Sequence, residues 1–444
     1  MSKYYCLSYM IIMFFIWKDK SKLLNKFIFN DAYNFYVDNV LLPLLKFSRT
    51  YLADNEKIIQ LQELALKIIM GFEMEMVFLK KENKNDSVHL YERLKDITKS
   101  ILDWILRRNL LYNRAYISFL SYSKWPGYLK NDIRYSINKV KKQYLKAGNV
   151  IIVNDLTQSS RIGDYLIINN GKIINILETK KNGKVIRGIQ KMNSMKTDRQ
   201  WTKILDTFNK INDNVGIKST VLSKNYLSKV ENIIKKTYKS WCEINRLNSL
   251  TSIRVIYTHT TKQIDYKKLI NQSKKAKKFI QNKDSDEILH ISNLDFFAKR
   301  HNRFITSTIA PYSVFPFDNT TCMDLMSWVL QLSTYINISI LKKEFIKNWW
   351  IVYEENNKIE VAVDDMNASN FFYENNVDTS IFKVRKDDWY FSTVSIHIIL
   401  LIGLEFRNYK EILDMYENFY QESKLDKKNK WMLLNFLNDR NIFY

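Results

Sequence analysis

Apolar residues recur along this chain with two different periods. Residues 1–125 carry them at helical spacing over long amphipathic stretches, one of which includes residues 88–107. From residue 149 the spacing changes. Residues 149–155, 163–169 and 172–180 contain short β-branched runs that predict three strands, preceded by a basic helical stretch over 132–145. Further helices are predicted at 185–211, 226–246 and 266–280, and further strands at 252–258 and 287–292. Beyond them, residues 322–347 read as helix, residues 349–353 and 358–363 as a hairpin around 354–357, and residues 408–438 as helix. Trp125-Pro126-Gly127 and the stretch from Pro311 to Pro316 punctuate the pattern. They divide the chain into a helical domain (1–125), a core (126–305) with a helical insertion near 215–248, and an α+β domain (306–444).

Asn169-Asn170-Gly171, between two β-branched runs, is a hairpin signal whose loop length decides which side chains share a face. A two-residue loop sets Asn169 opposite Lys172, Ile168 opposite Ile173 and Asp164 opposite Leu177. A three-residue loop with Gly171 in the left-handed conformation pairs Ile168 with Lys172 and Asp164 with Ile176. Only the second places Asp164, Glu178 and Lys180 on one face, and it is the register expected here. Leu166, Ile168, Ile174 and Ile176 then join the acids, while Ile167, Ile173 and Leu177 line the other face. Apolar residues on both sides predict a sheet covered twice, as in an α/β protein.

Two neighbouring carboxylates repel each other unless a cation lies between them. Oxygen donors of this kind suit Mg²⁺ or Mn²⁺, which activate water and steady the charge that builds on a phosphodiester under attack. Lys180, one same-face step from Glu178, is placed to orient that water or neutralise the charge. In order, spacing and strand context, Gly163-Asp164 followed by Glu178-Thr179-Lys180 resembles the PD-(D/E)xK nuclease superfamily, with Gly163 in place of the proline. The resemblance implies an α/β fold with a restriction-endonuclease-like αβββαβ core. It also implies a metal held by Asp164, Glu178 and the carbonyl of Thr179, a catalytic role for Lys180, and a place within that family's range of restriction and defence. The helix before the first strand, where such proteins often place another acid, has none over 133–145; Glu92, three residues after His89, is the candidate substitute. Gln190 stands where the family often has an auxiliary polar residue. Three other triplets, Glu82-Asn83-Lys84, Glu422-Ser423-Lys424 and Asp426-Lys427-Lys428, match the short motif, but none follows a hairpin acid.

Charge extends the picture to a partner. With 69 Lys and Arg against 46 Asp and Glu, the net charge is +23, which suits a polyanion; with the nuclease resemblance, DNA is expected in preference to RNA. Lys141, Lys142, Lys274, Lys275, Lys277 and Lys278 are the candidate nucleic-acid contacts. A basic nucleic-acid-binding protein without catalytic activity would show the same charge, so that alternative stays open. Cys6, Cys242 and Cys322 form no zinc or disulfide spacing and fit a reducing, cytoplasmic setting. The apolar run 4–17, about 21 Å as a helix against a hydrocarbon core of roughly 30 Å, reads as a buried helix and not a membrane span. A homo-oligomer or a protein partner is left open. Nine glycines in the chain form no phosphate-loop or dinucleotide motif.

Overall fold

The computed structural model describes residues 30–51, 54–111, 133–158, 163–179, 185–187, 219–221, 225–258, 266–283, 286–293, 312–353, 380–387, 390–425 and 436–438, with positions 117, 120 and 160. Its class is mixed α/β, with predominantly antiparallel pairing. The chain enters as α1 (Asp31–Tyr36), widens through a π-helical segment (Val37–Leu41) and continues as α2 (Leu42–Thr50). Pro43, in the first turn of α2, has no N–H to continue the regular ladder. Next come α3 (Asn55–Lys81), capped by the Asp54 carboxylate, and α4 (Asn85–Asn109); the two pack against each other. Helix α5 (Ile133–Tyr144) leads into the first sheet.

That sheet is a meander of β1 (Val150–Val153), β2 (Tyr165–Asn169), β3 (Lys172–Thr179) and β4 (Val185–Arg187). The three strands expected around the hairpin are present, and Ile151, Ile152, Tyr165 to Ile168, Ile173, Ile176 and Leu177 are all buried, as a sheet covered on both sides requires. Helix α5 covers one face, where Ser136 Oγ lies 2.5 Å from the Tyr165 hydroxyl and Asn175 Nδ2 donates to the Tyr144 hydroxyl at 3.2 Å. Helix α3 closes the β1 edge with one side chain. The Gln62 amide donates to Ile151 O at 2.8 Å and accepts from Val153 N at 2.7 Å, so it pairs the edge as a neighbouring strand would. The helix expected from residue 185 does not begin there: residues 185–187 pair with β3, and the rest of 188–211 lies outside the described residues.

Among the described residues the expected later strands form a separate sheet, and no single αβββαβ sheet joins them to the hairpin. After β5 (Ser219–Val221) and α6 (Leu227–Ser240), Trp241 takes a left-handed φ of 65° and ends the helix. The chain continues as β6 (Cys242–Arg246), β7 (Thr251–Tyr257), α7 (Tyr266–Lys278) and β8 (Ile288–Ser292). The helix expected to reach residue 246 therefore stops early, because residues 242–246 are drawn into pairing with β7. Beyond α8 (Asn319–Met326), β9 (Leu330–Asn337) inserts between β7 and β8, giving the order β6-β7-β9-β8. Residues 322–347 thus hold a strand where continuous helix was expected. Every residue of β9 is buried, and a strand buried on both faces shows no alternation to set it apart from a buried helix. The sheet also crosses the expected boundary at residue 305, since β9 begins after it and pairs with strands before it.

Helix α9 (Ile338–Lys347) follows β9 directly, capped by the Asn337 side chain, and leads to β10 (Ile351–Tyr353). Strand β10 pairs with β11 (Ser380–Lys386) and not with 358–363, which lies outside the described residues; β11 pairs in turn with β12 (Tyr390–Ser395). Helices α10 (Ile396–Leu404) and α11 (Tyr409–Leu425) pack on this sheet through Phe345, Trp350, Phe382 and Tyr416. The helix expected over 408–438 gives way to β13 (Phe436–Asn438), paired in parallel with β5. One hydrophobic core runs from Tyr33 through the first sheet to Phe406.

Candidate active site

The turn between β2 and β3 is shorter than expected. Asn170 and Gly171 have φ of 48° and 77°, a two-residue turn with both central residues left-handed, and Asn169 pairs with Lys172. Asparagine tolerates this conformation through its short polar side chain, so no third loop residue is needed. The register then shifts between Ile167 and Ile168. Ile168 faces Ile173 while Ile167 faces Asn175, leaving Ile174 as the extra residue of a β-bulge. Ile174 is 47% exposed, while Ile173 is buried opposite Ile168 and so shares the face of Ile168 and not the opposite face expected for it. Past the bulge, Leu166 pairs with Ile176 and Tyr165 with Leu177, so Asp164 does not face Ile176.

Asp164 lies one residue before β2, and its amide donates to Leu177 O at 2.8 Å. That carbonyl immediately precedes Glu178, so the backbones of the two acids stand side by side, through a bulge and not through a longer loop. Gly163 sets the approach. Its φ is +69°, and a Cβ there would lie 2.6 Å from Ile176 Cγ2 and 3.0 Å from Leu177 O. Proline, fixed near φ −65°, cannot occupy this position, and any side chain would collide there. Asn154 ties the segment down: its amide N–H donates to Asp164 O at 3.0 Å, its Nδ2 to Gly163 O at 3.2 Å, and its Oδ1 accepts from Ser160 Oγ at 2.8 Å.

Asp164 is 2% exposed, so its carboxylate belongs to the interior. Burial raises the Tyr165 hydroxyl pKa, the Ser136 hydrogen bond opposes that, and the carboxylates of Asp164 and Asp155 add to the rise. Asp155, in the turn after β1, is therefore a second acid within electrostatic reach of Tyr165. Asp103, 2% exposed, accepts the Gln158 amide at 3.0 Å, and Gln158 Nε2 donates to Asp96 O at 2.8 Å. Thus α4 meets the β1–β2 connection through Asp103, while Glu92 pairs with His89 on the same helix at 3.1 Å. Neither Asp155 nor Asp103 sits in a motif. Asp155 closes a strand run, and Asp103 has only its place among apolar residues to mark it.

Glu178 and Thr179 belong to β3 and pair with Ile186 and Val185. Lys180 and Gln190 lie outside the described residues. Among the described residues no three His, Cys, Asp or Glu side chains cluster as metal ligands, and no helix is long and apolar enough to cross a membrane. Lys142, on α5, and Lys274, Lys275, Lys277 and Lys278, on α7, are exposed; Lys141 is half-buried. Comparison with protein-family models, curated proteins and solved structures finds no match.

Proposed function

We propose that this protein is a divalent-metal-dependent nuclease acting on DNA, with its catalytic centre at the hairpin. The observation that carries the reading is the hydrogen bond from the Asp164 amide to Leu177 O, which sets a buried aspartate against the strand that carries Glu178 and Thr179, with Lys180 next in sequence. The donor set fits a hard cation: two carboxylates and the Thr179 carbonyl offer oxygen ligands suited to Mg²⁺ or Mn²⁺. Such an ion supplies Lewis-acid polarisation of the phosphoryl group and lowers the pKa of bound water. The chain's own part is positioning. Gly163 and Asn154 fix the Asp164 backbone, β3 runs the Glu178 backbone beside it, and Lys180, two residues on in sequence, would donate to the attacking water or to the phosphate oxygens.

The test is cleavage of plasmid DNA by wild type, Asp164→Asn, Glu178→Gln and Lys180→Ala, with Mg²⁺ and with chelator. We expect metal-dependent cleavage by wild type, reduced at least about 100-fold in each variant, the scale typical of lost acid–base or electrostatic groups. Equal cleavage in all four proteins would reject the site. Binding without cleavage would favour a non-catalytic nucleic-acid-binding protein, a reading that the exposed lysines of α7 also support.

A further inference from the structure

Helix α7, with the sequence YKKLINQSKKAKK, contains no acidic residue. Its inner side is anchored to the second sheet by polar bonds. Ser252 Oγ donates to Ala276 O at 2.7 Å, and the buried Arg254 donates to Leu269 O at 3.0 Å and to Ser273 Oγ at 2.5 Å. Leu269 and Ala276 are buried, which fixes the rotation of the helix. At about 100° per residue, Lys274, Lys275, Lys277 and Lys278 then fan over an arc of roughly 160° on the outer side. All four are exposed.

Some other exposed lysines find acids, such as Lys235 with Glu231 at 2.7 Å on α6 and Lys347 with Glu344 at 2.6 Å on α9, and the half-buried Lys342 pairs with Glu287 at 2.9 Å. The four α7 lysines form no ion pair or hydrogen bond among the described residues. Like charges three and four residues apart, such as 274/277, 274/278 and 275/278, destabilise a helix by a few tenths of a kcal/mol per pair. Their position in the last turns, where the helix dipole favours cations, offsets part of this. What remains is a positive face whose four lysines have no acidic partner among the described residues.

We propose that this face binds the phosphate backbone of double-stranded DNA, independently of sequence. The choice of DNA rests on the nuclease reading; the choice of duplex rests on the surface itself. Single-strand binding relies on aromatic platforms for stacking, but the outer arc carries lysines, Ile270 and Asn271, with Phe279 at its margin. Lysines contact phosphates as point charges and release the condensed counterions.

The experiment measures binding of the full-length chain to a fluorescent DNA duplex, in chelator, across a salt series. The four positions are changed together to Gln, together to Arg, and compared with a control carrying Lys235→Gln and Lys347→Gln. We expect the slope of log Kd against log salt to fall by about 3 to 4 in the Gln variant, near 0.9 per phosphate lost. The Arg variant and the control should keep the wild-type slope. An unchanged slope in the Gln variant overturns the proposal, as does a variant that keeps DNA binding but loses binding to vesicles of anionic phospholipid. Because chelator removes cleavage, failure of this surface and failure of the catalytic hairpin are read separately.

Discussion

Gly163 shows how one residue can set the entry of a hairpin. The chain must turn with φ +69° to bring Asp164 against Leu177, and the space a side chain would need is taken by Ile176 and by backbone. Asp324 makes the other argument at this scale. It lies on α8, accepts the Tyr238 hydroxyl at 2.7 Å and faces Asp38 and Asp318. Burial, with those two carboxylates, pushes its pKa up from 3.8 to about 6, against the Tyr238 hydrogen bond. The folded state thus holds this proton more tightly than the unfolded chain. The associated stability is fully present below the unfolded carboxylate pKa, near 4, and is lost as pH rises through about 6. Asp324→Asn stays neutral and keeps an acceptor for Tyr238. Its stability relative to wild type should therefore improve by about 2 to 3 kcal/mol between pH 4 and pH 7. Urea unfolding of both proteins across that range reads the difference directly, and parallel curves would show that Asp324 ionises freely.

At the scale of elements, the β-bulge decides the geometry of the hairpin. Ile174 is the residue that β3 carries in excess of β2, so its deletion leaves Asn169 with Lys172, Ile168 with Ile173, and Leu166 with Ile176. The acids stay adjacent. We expect the deletion variant to keep its fold, change stability by less than about 2 kcal/mol and retain cleavage. Deleting Ile176 instead should abolish activity, since a one-residue slip turns every later side chain of β3 to the opposite face. Circular dichroism and the plasmid assay distinguish the two. This hairpin was legible because β-branched runs flanked a turn signal, and β7, β8, α5 and α7 were legible for related reasons of period and punctuation. The turn length was not, because Asn170 accepts the left-handed conformation as readily as a third loop residue would have absorbed the parity. Strand β9 was hidden by burial on both faces. Strand β6 was hidden by following α6 with no proline or glycine between them; only Trp241, in a conformation rare for its type, marks the break.

For the whole molecule, the question is whether the region that carries the candidate site stands alone. Residues 126–305 contain the first sheet and three strands of the second, yet the chain completes both from elsewhere. Gln62 of α3 satisfies the β1 edge, and β9 fills the place between β7 and β8 along the full length of β7. Ile253 and Val255 on β7 and Leu330, Leu332 and Ile336 on β9 are all fully buried. Without β9, β7 and β8 become exposed apolar edges, a configuration that favours aggregation over folding. Arg49 of α2 extends the same dependence, donating to Ser313 O, Phe315 O and Phe317 O at 2.7 to 2.8 Å and so organising the segment before α8. A fragment of residues 126–305 should therefore show no cooperative thermal transition and should associate in solution. Co-expression with separate fragments 1–125 and 306–444 should recover a soluble complex, because the buried surfaces are complementary and the missing strand is supplied in trans. Calorimetry and analytical ultracentrifugation of the fragment, alone and in the complex, measure this. A fragment that melts cooperatively as a monomer would mean that the first sheet and β6–β8 hold their structure without β9, and that the core is divided more sharply than its shared strands imply.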